Sequence, residues 1–418
     1  MTMQGPKGTY DVLPAQQQLR QKVMDEARRV FSAAGYGRIA TPTFEDTELF
    51  VRGVGASSDI VRKEMYTFED KGGRSLTLKP EGTAPVVRAY IQHGMHKSPQ
   101  PVKMWYYERM FRFERPQAGR FREHYQLGAE AIGSGESSLD AELIIMLSDL
   151  YAALDVPDVE LKLSSMGCPD CRPAYISGLK QHLDHIGGEL CGDCRERAIM
   201  NPLRVFDCKN EKCILLLNDA PKLVDSLCAP CQEHFDRVRQ YLDLLGREYQ
   251  IDGTLVRGFD YYTRTTFEYE CARLGAQKGI GGGGRYDGLV EEIGGHPTPA
   301  IGFGTGMERI VLALESAGEN TPKQEIDVFF MVLDESARPV VVELLHELRG
   351  LGISSDTDYA GRSAKGQMKQ ASRLGARFAV IIGEDEMKAG AVTVRDMGTS
   401  DQESVKLDGF QEYLKARL

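Results

Sequence analysis

The chain has 418 residues, which at ~100–200 residues per domain predicts about two to four domains rather than one. Hydrophobic residues make up 42% and charged residues 27%, with 44 Gly and 18 Pro, a globular composition that excludes disorder, collagen-like repeats and low-complexity tracts. Lys and Arg number 51 against 61 Asp and Glu, and the net charge of -10 excludes a generally basic nucleic-acid coat, so any nucleic acid must be met by local patches.

The opening Met1-Thr-Met-Gln-Gly-Pro-Lys-Gly has no apolar h-region, and no stretch reaches the ~18 apolar residues of a membrane span. A soluble, cytoplasmic protein without a membrane partner is expected. Leu19, Val23, Ala27, Val30, Phe31 and Ala34 share one helical face over residues 15–34, and Gly35 ends the pattern. A short strand follows over 38–41, ending at Pro42. Aromatic and apolar density predicts strands over 103–113 and 125–132, paired as a long-looped hairpin, and a helix over 139–154 closes this block. Residues from about 164 to 247 differ in composition and read as an inserted domain. Strand patterns resume over 255–270 and 300–306, and a helix over 307–315 presents Ile310, Val311 and Leu314. After a polar linker over 316–324, an alternating β/α pattern predicts a small parallel or mixed sheet with covering helices.

Between Lys103 and Arg122 six basic residues (Lys103, Arg109, Arg112, Arg115, Arg120, Arg122) face only Glu108 and Glu114, a net of +4 that suits polyphosphate or RNA. Ion pairing on a solvated hairpin is the plainer explanation of the same charges. On the next strand Gln126, Gly128 and Glu130 share a face, so a carboxylate and an amide flank a gap opened by glycine, the floor of a small-ligand site if that face is buried. Gly302, Gly304 and Gly306 lie at period two and would bare one strand face for a flat ring, with Arg309 in the first turn of the next helix, where anions are favoured. Close helix-on-sheet packing would explain these glycines equally well. No P-loop motif occurs, and Gly279-Ile-Gly-Gly-Gly-Gly284, lacking a βαβ context, reads as a flexible glycine hairpin rather than a dinucleotide site.

Nine Cys is an odd number, and eight lie between Cys168 and Cys231 as close pairs, unlike a secreted disulfide framework. Cys168-x2-Cys171-x19-Cys191-x2-Cys194 fits a four-thiolate zinc spacing, and Cys208-x4-Cys213-x14-Cys228-x2-Cys231 offers a second; spacing alone does not decide the pairing or whether zinc binds. Cys271 stands apart and reads as a buried small hydrophobe.

Taken in order, these pieces resemble the class II aminoacyl-tRNA synthetases. The first helix and the strand ending at Pro42 look like motif 1, Phe111-Arg112-Phe-Glu114-Arg115 with Gln126 to Glu130 like motif 2, and Gly302 to Arg309 like motif 3. Leu255-Val-Arg257-Gly-Phe-Asp-Tyr261-Tyr262 and Gly283-Gly-Arg285-Tyr286-Asp-Gly288 are similar to the two histidine-specific motifs of the histidyl-tRNA synthetase family. The likeness runs over nearly the whole chain, and only the insertion, with its cysteine density, departs from it.

The resemblance implies an α+β protein. A catalytic domain on an antiparallel sheet would occupy residues 1–163 and 248–316, an inserted cysteine-rich domain 164–247, and a C-terminal α/β anticodon-binding domain 325–418. It implies ATP, with Mg, as a substrate, L-histidine and tRNA as the others, and a homodimer joined through motif 1. Arg112 and Arg309 would contact the ATP phosphates, Glu114 and Arg120 would help hold the nucleotide, and Arg257 would lie at the reacting carboxylate and α-phosphate. Glu81, Thr83 and Gln126 would hold the α-amino group, Glu130, Tyr261 and Tyr262 would surround the imidazole, and Tyr286 would close the pocket. A rival expectation is a histidine-binding regulatory paralogue associated with ATP phosphoribosyltransferase, which would lack the motif arginines and the C-terminal domain. Residues 325–418 hold 12 Lys and Arg against 16 Asp and Glu, a net of -4, so RNA contact there needs a local cluster such as Arg362, Lys365 and Lys369.

Overall fold

The computed structural model describes residues 2–55, 58–117, 119–256, 258–275, 277–318 and 325–418. The chain divides into two compact units, Met1–Val12 with Leu19–Asn320, and Leu13–Gln18 with Thr321–Leu418. In the first unit Gly37–Arg38 (β1) precedes a small sheet of Phe44–Asp46 (β2), Tyr66–Glu69 (β3) and Ser75–Leu78 (β4). The long hairpin follows as Val102–Phe111 (β5) and Glu123–Ile132 (β6), then Val159–Ser165 (β7), the helices of the cysteine-rich segment, Gln250–Ile251 (β8), Thr263–Cys271 (β9), Gly279–Arg285 (β10) and Ala300–Gly306 (β11). An eight-stranded sheet runs β1-β5-β6-β11-β10-β9-β7-β8. It is antiparallel through its middle, and only the edge pairs β1–β5 and β7–β8 are parallel.

Alternation along the strands gives this sheet two unlike faces. Trp105, Leu127, Ala129, Ala131, Ile301 and Phe303 point into a core covered by helices Pro14–Ala33, Ser137–Ala153, Ala229–Leu244 and Met307–Ser316. The predicted face of the first helix is the buried one, with Leu19, Val23, Ala27 and Phe31 all in this core. The intervening residues of β6 and β11 face the other way and carry the polar groups and glycines.

Two expectations are corrected. The glycine run 279–284 is a central strand, not a flexible hairpin: a Cβ on Gly283 would fall on the Gly302 carbonyl, and one on Gly284 would lie 2.6 Å from the Thr265 carbonyl, so the glycines allow strands to pack where side chains have no room. The strand predicted from 255 begins only at Thr263, and residues 258–262 before it form no strand but bring Tyr261 and Tyr262 to the site face.

At the end of β10 the guanidinium of Arg285 is fully buried. It pairs with Asp140 at 2.6 Å and Asp287 at 3.1 Å and donates to the carbonyls of Ser134 (3.0 Å) and Glu136 (3.1 Å). Asp140 also meets His234 Nε2 at 2.8 Å. A buried charge is tolerated only when paired and hydrogen-bonded in this way, and the network fixes the chain where it turns into Tyr286.

The second unit holds Val328–Val332 (β12), Ser355–Thr357 (β13), Phe378–Ile382 (β14), Ala391–Asp396 (β15) and Gln402–Lys406 (β16) in the order β13-β12-β14-β15-β16. The first three strands are parallel and the last two antiparallel, the mixed sheet expected from the β/α pattern. Every residue of β12 is buried, consistent with helices on both faces.

Candidate active site

The register across the sheet assembles the site in rows. Met104, Glu130, Gly302, Gly284 and Thr266 are neighbours in one row, and Tyr106, Gly128, Gly304, Gly282 and Glu268 in the next. The second row is bare backbone walled by Tyr106 at one end and Glu268 at the other. The gap beside Gly128 is not open, however: the Tyr106 ring leans over it, and a Cβ on Gly128 would collide with that ring. Gly302 makes room for the Glu130 carboxylate and Gly304 for the Gln126 amide in the same way.

Glu130 is the centre of this face. It is fully buried, and its partners are hydroxyls: Thr83 Oγ1 donates to Oε1 at 2.8 Å and Tyr286 to Oε2 at 2.6 Å, with Tyr106 at 3.5 Å. Burial pushes its carboxyl up to about 8, outweighing the hydroxyl donors that favour the charged form. Gln126 Nε2 donates to the Tyr106 hydroxyl at 3.0 Å, tying the amide to the same cluster. Glu81, also buried, accepts from the backbone N–H of Thr83 at 2.7 Å and of Ala84 at 2.9 Å, at the start of helix Thr83–Gln92. Burial raises its pKa despite those donors. Tyr261 and Tyr262 are buried with ring centroids 4.7 Å apart, and Tyr261 meets Tyr286 edge-on at 5.7 Å. Thus Glu81, Thr83, Gln126, Glu130, Tyr261, Tyr262 and Tyr286 gather on one face, with Tyr106 as an addition that the sequence did not signal. Trp105, Tyr106 and Tyr107 are consecutive aromatics, so alternation could not sort them.

A second group lies toward the open end of the hairpin. Arg112 Nε donates to the Pro80 carbonyl at 2.7 Å, and Glu114 pairs with Arg120 at 2.8 Å and with Arg112 at 3.8 Å. Arg309 donates to the carbonyls of Gln277 (2.9 Å) and Gly279. Burial, then the positive charges of Arg112 and Arg309, pushes the His124 imidazole down to about 3, so a neutral histidine sits among these arginines. His124 was missed because a lone His in a polar strand carries no spacing signal. So was Glu308, whose buried carboxylate pairs with Arg20 at 3.0 Å and accepts from Tyr10 (2.5 Å) and the Tyr125 N–H (3.1 Å), locking the helix that carries Arg309 onto β6. Arg257 lies outside the described residues. Its neighbours do not: the Gly258 carbonyl accepts from Arg204 at 2.5 Å, and Asp260 accepts from Asn201 at 3.0 Å.

The eight clustered cysteines form two groups, Cys168 with Cys171, Cys228 and Cys231, and Cys191 with Cys194, Cys208 and Cys213. The pairing that spacing left open is thereby settled, with the second group nested inside the first along the chain. In the C-terminal unit Arg362 pairs with buried Asp358 at 2.5 Å and so is tied down as a local clamp, just ahead of the helix Ala364–Arg373 that carries Lys365 and Lys369.

Comparison with known proteins agrees with this geometry. A family model described as histidyl-tRNA synthetase matches residues 8–170 and 209–310, and one described as an anticodon binding domain matches 327–417. The chain is 50% identical over 416 residues to a histidine–tRNA ligase of Halothermothrix orenii, covering 99% of each. It is 50% identical over 414 residues to that of Pelotomaculum thermopropionicum, covering 99% of this chain and 97% of the relative. Apo histidyl-tRNA synthetase of S. aureus superposes with a TM-score of 0.83 at 37% identity, covering 99% of this chain and 100% of that one. The fold is that of a class II aminoacyl-tRNA synthetase, an antiparallel catalytic sheet with a C-terminal α/β unit. The chain belongs to the histidyl-tRNA synthetase family.

The raised Glu130 pKa has a consequence for stability. The folded, ligand-free protein holds this proton up to about pH 8, whereas the unfolded chain releases it near 4.5, so its contribution is fully present below about 4.5 and is lost as pH rises through 8. The melting temperature of the wild type should therefore fall more steeply across that window than that of Glu130→Gln, which cannot ionise. Parallel curves would contradict the assignment.

Proposed function

We propose that the face centred on Glu130 binds L-histidine and that the arginine group beside it binds ATP, so that the chain joins histidine to its tRNA through histidyl-adenylate. The single observation that carries this reading is a carboxyl group buried among hydroxyls beside the clustered guanidinium groups of Arg112, Arg120 and Arg309. The first part suits a ring with N–H groups to satisfy, and the second a polyphosphate.

In the first step a histidine carboxylate oxygen attacks the α-phosphorus, forming an O–P bond while the bond to the β-phosphate oxygen breaks and pyrophosphate leaves. In the second, a terminal ribose hydroxyl of tRNA attacks the acyl carbon, AMP departs, and the hydroxyl proton is released. Neither step needs a covalent enzyme intermediate, so positioning and charge supply most of the catalysis. Arg112 and Arg309, held on backbone carbonyls, exchange those acceptors for phosphate oxygens. Arg257 offsets charge at the reacting α-phosphate, and Glu114 and Arg120 hold the nucleotide. Glu81, Thr83 and Gln126 take the α-amino group, Glu130, Tyr261 and Tyr262 the imidazole, and Tyr286 closes over it. ATP enters as its Mg complex, whose ion is held chiefly by phosphate oxygens, and Glu268 at the far wall is an oxygen donor of the right kind.

The domain division that supports this reading is a catalytic domain over 1–163 and 248–316, an insertion over 164–247 and an anticodon-reading domain over 325–418. The regulatory alternative is disfavoured by Arg112 and Arg309 in place and by the anticodon-binding match over 327–417. Among the described residues no helix is long and apolar enough to cross a membrane, which suits work in the cytoplasm.

Histidine-dependent exchange of pyrophosphate into ATP tests the reading. The wild type should catalyse it, and Arg257→Ala should slow it ~10²–10³-fold with the fold intact, as expected when a preorganised charge is removed. A fully active Arg257→Ala protein would remove that residue from the reaction. The enzyme should also be a two-fold dimer, since Thr41, beside Pro42 of motif 1, is pinned to Glu108 by its N–H at 2.6 Å and its hydroxyl at 2.8 Å, giving a rigid edge for a partner. Sedimentation showing only the 46.5 kDa monomer at micromolar concentration would contradict this.

A further inference from the structure

The two cysteine groups are built like tetrahedral thiolate cages. Within each, all four sulfurs lie within 4.8 Å of one another. Cys168 and Cys171 Sγ are 3.6 Å apart, Cys168 and Cys228 3.8 Å, and Cys191 and Cys208 3.8 Å. Four sulfurs at ~2.3 Å from one ion sit ~3.8 Å apart at the corners of a tetrahedron, whereas a disulfide would bring two of them to ~2.05 Å.

The backbone around them independently points to charged sulfurs. The N–H of Cys228 is aimed at Cys171 Sγ (3.2 Å), that of Cys191 at Cys213 Sγ (3.3 Å) and that of Asn210 at Cys208 Sγ (3.4 Å). Such donors supply the outer shell that metal-bound thiolates require. Cys171, Cys191 and Cys228 each stand at the residue that precedes a helix, Arg172–Ile186, Gly192–Met200 and Ala229–Leu244, with no capping bond from their side chains. Gly167, at φ +60°, turns the chain just before Cys168, and a Cβ there would lie 2.9 Å from Cys171 Cβ.

The segment also needs fastening. Its own core is small, built on Leu179, Leu183, Val205 and Leu217, with Cys194 and Cys213 among its buried members. The family model for the catalytic part does not cover residues 171–208, so this segment is where the chain departs from it. The outer cysteine group joins the end of β7 to the start of helix Ala229–Leu244, whose Phe235, Val238 and Leu242 belong to the main core. Arg172, next to Cys171, donates to the carbonyl of Met166 at 3.1 Å and to that of Tyr262.

We propose that this chain holds two structural zinc ions, one bound by Cys168, Cys171, Cys228 and Cys231 and the other by Cys191, Cys194, Cys208 and Cys213, and that the first fixes the loop carrying Tyr261 and Tyr262. Each site takes up Zn²⁺ as four thiols release four protons, leaving a tetrathiolate complex of charge -2 with no change of oxidation state. The metal assignment stands on the thiolate geometry alone. The positioning role rests on the placement of Tyr261 and Tyr262 in the histidine pocket.

Elemental analysis of the full chain, purified without chelators, should give two zinc per chain. Cys171→Ser with Cys231→Ser should leave one, and Cys171→Ser with Cys213→Ser none. Grouping by consecutive spacing would instead leave none in the first double variant and is overturned or upheld by that count. Wild-type chain produced with cobalt(II) supplied in place of zinc gives the number without altering a cysteine: two equivalents of cobalt with the visible bands of tetrahedral thiolate coordination are expected. Fewer than two equivalents, iron in place of zinc, or disulfides in the native protein would overturn the proposal. For the positioning role, Cys171→Ser should raise KM for histidine in the exchange reaction ~10-fold or more, while KM for ATP stays constant. An unchanged histidine KM in protein lacking that zinc would refute that role without touching the assignment of the pocket itself.

Discussion

One buried carboxylate organises the catalytic unit. Glu130 lies on the polar side of a sheet whose other side is packed with apolar helices, and it has only hydroxyls for company. A group so placed is costly when ionised, and burial holds its proton to about pH 8. Much of the surrounding sequence is needed to house it. Gly302 has no side chain because the carboxylate occupies that space, Thr83 stands where Glu81 caps its helix, and Tyr286 is delivered by the Arg285 clamp at the end of β10. In the proposed reading a bound imidazole would add an N–H donor to these hydroxyls, and a side chain without one would add none, which is a basis for discrimination.

The second constraint is electrostatic and opposite in sign. Arg112, Arg120 and Arg309 crowd together around an imidazole kept neutral first by burial and then by their charges, with Glu114, Glu64 and Glu268 as nearby counter-charges. Arg309 is itself made slightly less basic by burial and by Arg120. Backbone carbonyls and Glu114 take the hydrogen bonds of this group in the free protein, and in the proposed reading a polyphosphate would take their place. The glycine row of Gly128, Gly304 and Gly282, roofed by the Tyr106 ring and the Gln126 amide, adjoins the row that carries Glu130.

Much of this was legible in the sequence because it depends on local patterns. The first helix, the hairpin, the glycine strand before Arg309 and the β/α order of the last ninety or so residues follow from periodicity and from turn residues. What escaped was set by partners far along the chain. Tyr106 matters because its ring crosses to Gly128 on the neighbouring strand, and Glu308 because it gathers Tyr10, Arg20 and Tyr125 from distant segments. The glycines of 279–284 gave a flexible appearance in isolation, yet they form a closely packed strand inside the sheet. The cysteine grouping likewise depends on how helices fold back, so consecutive spacing left it open.

The central claim, that Glu130 recognises the imidazole and not the nucleotide, is tested most directly by equilibrium binding of histidine and of ATP to Glu130→Ala. Loss of a buried hydrogen-bond partner that leaves the imidazole unsatisfied, at ~3 kcal/mol, corresponds to ~100-fold or more in affinity. Histidine binding should weaken by that much while the Kd for ATP stays within about twofold, the arginine group being untouched. Equal losses for both ligands, or an undisturbed histidine affinity, would contradict the account.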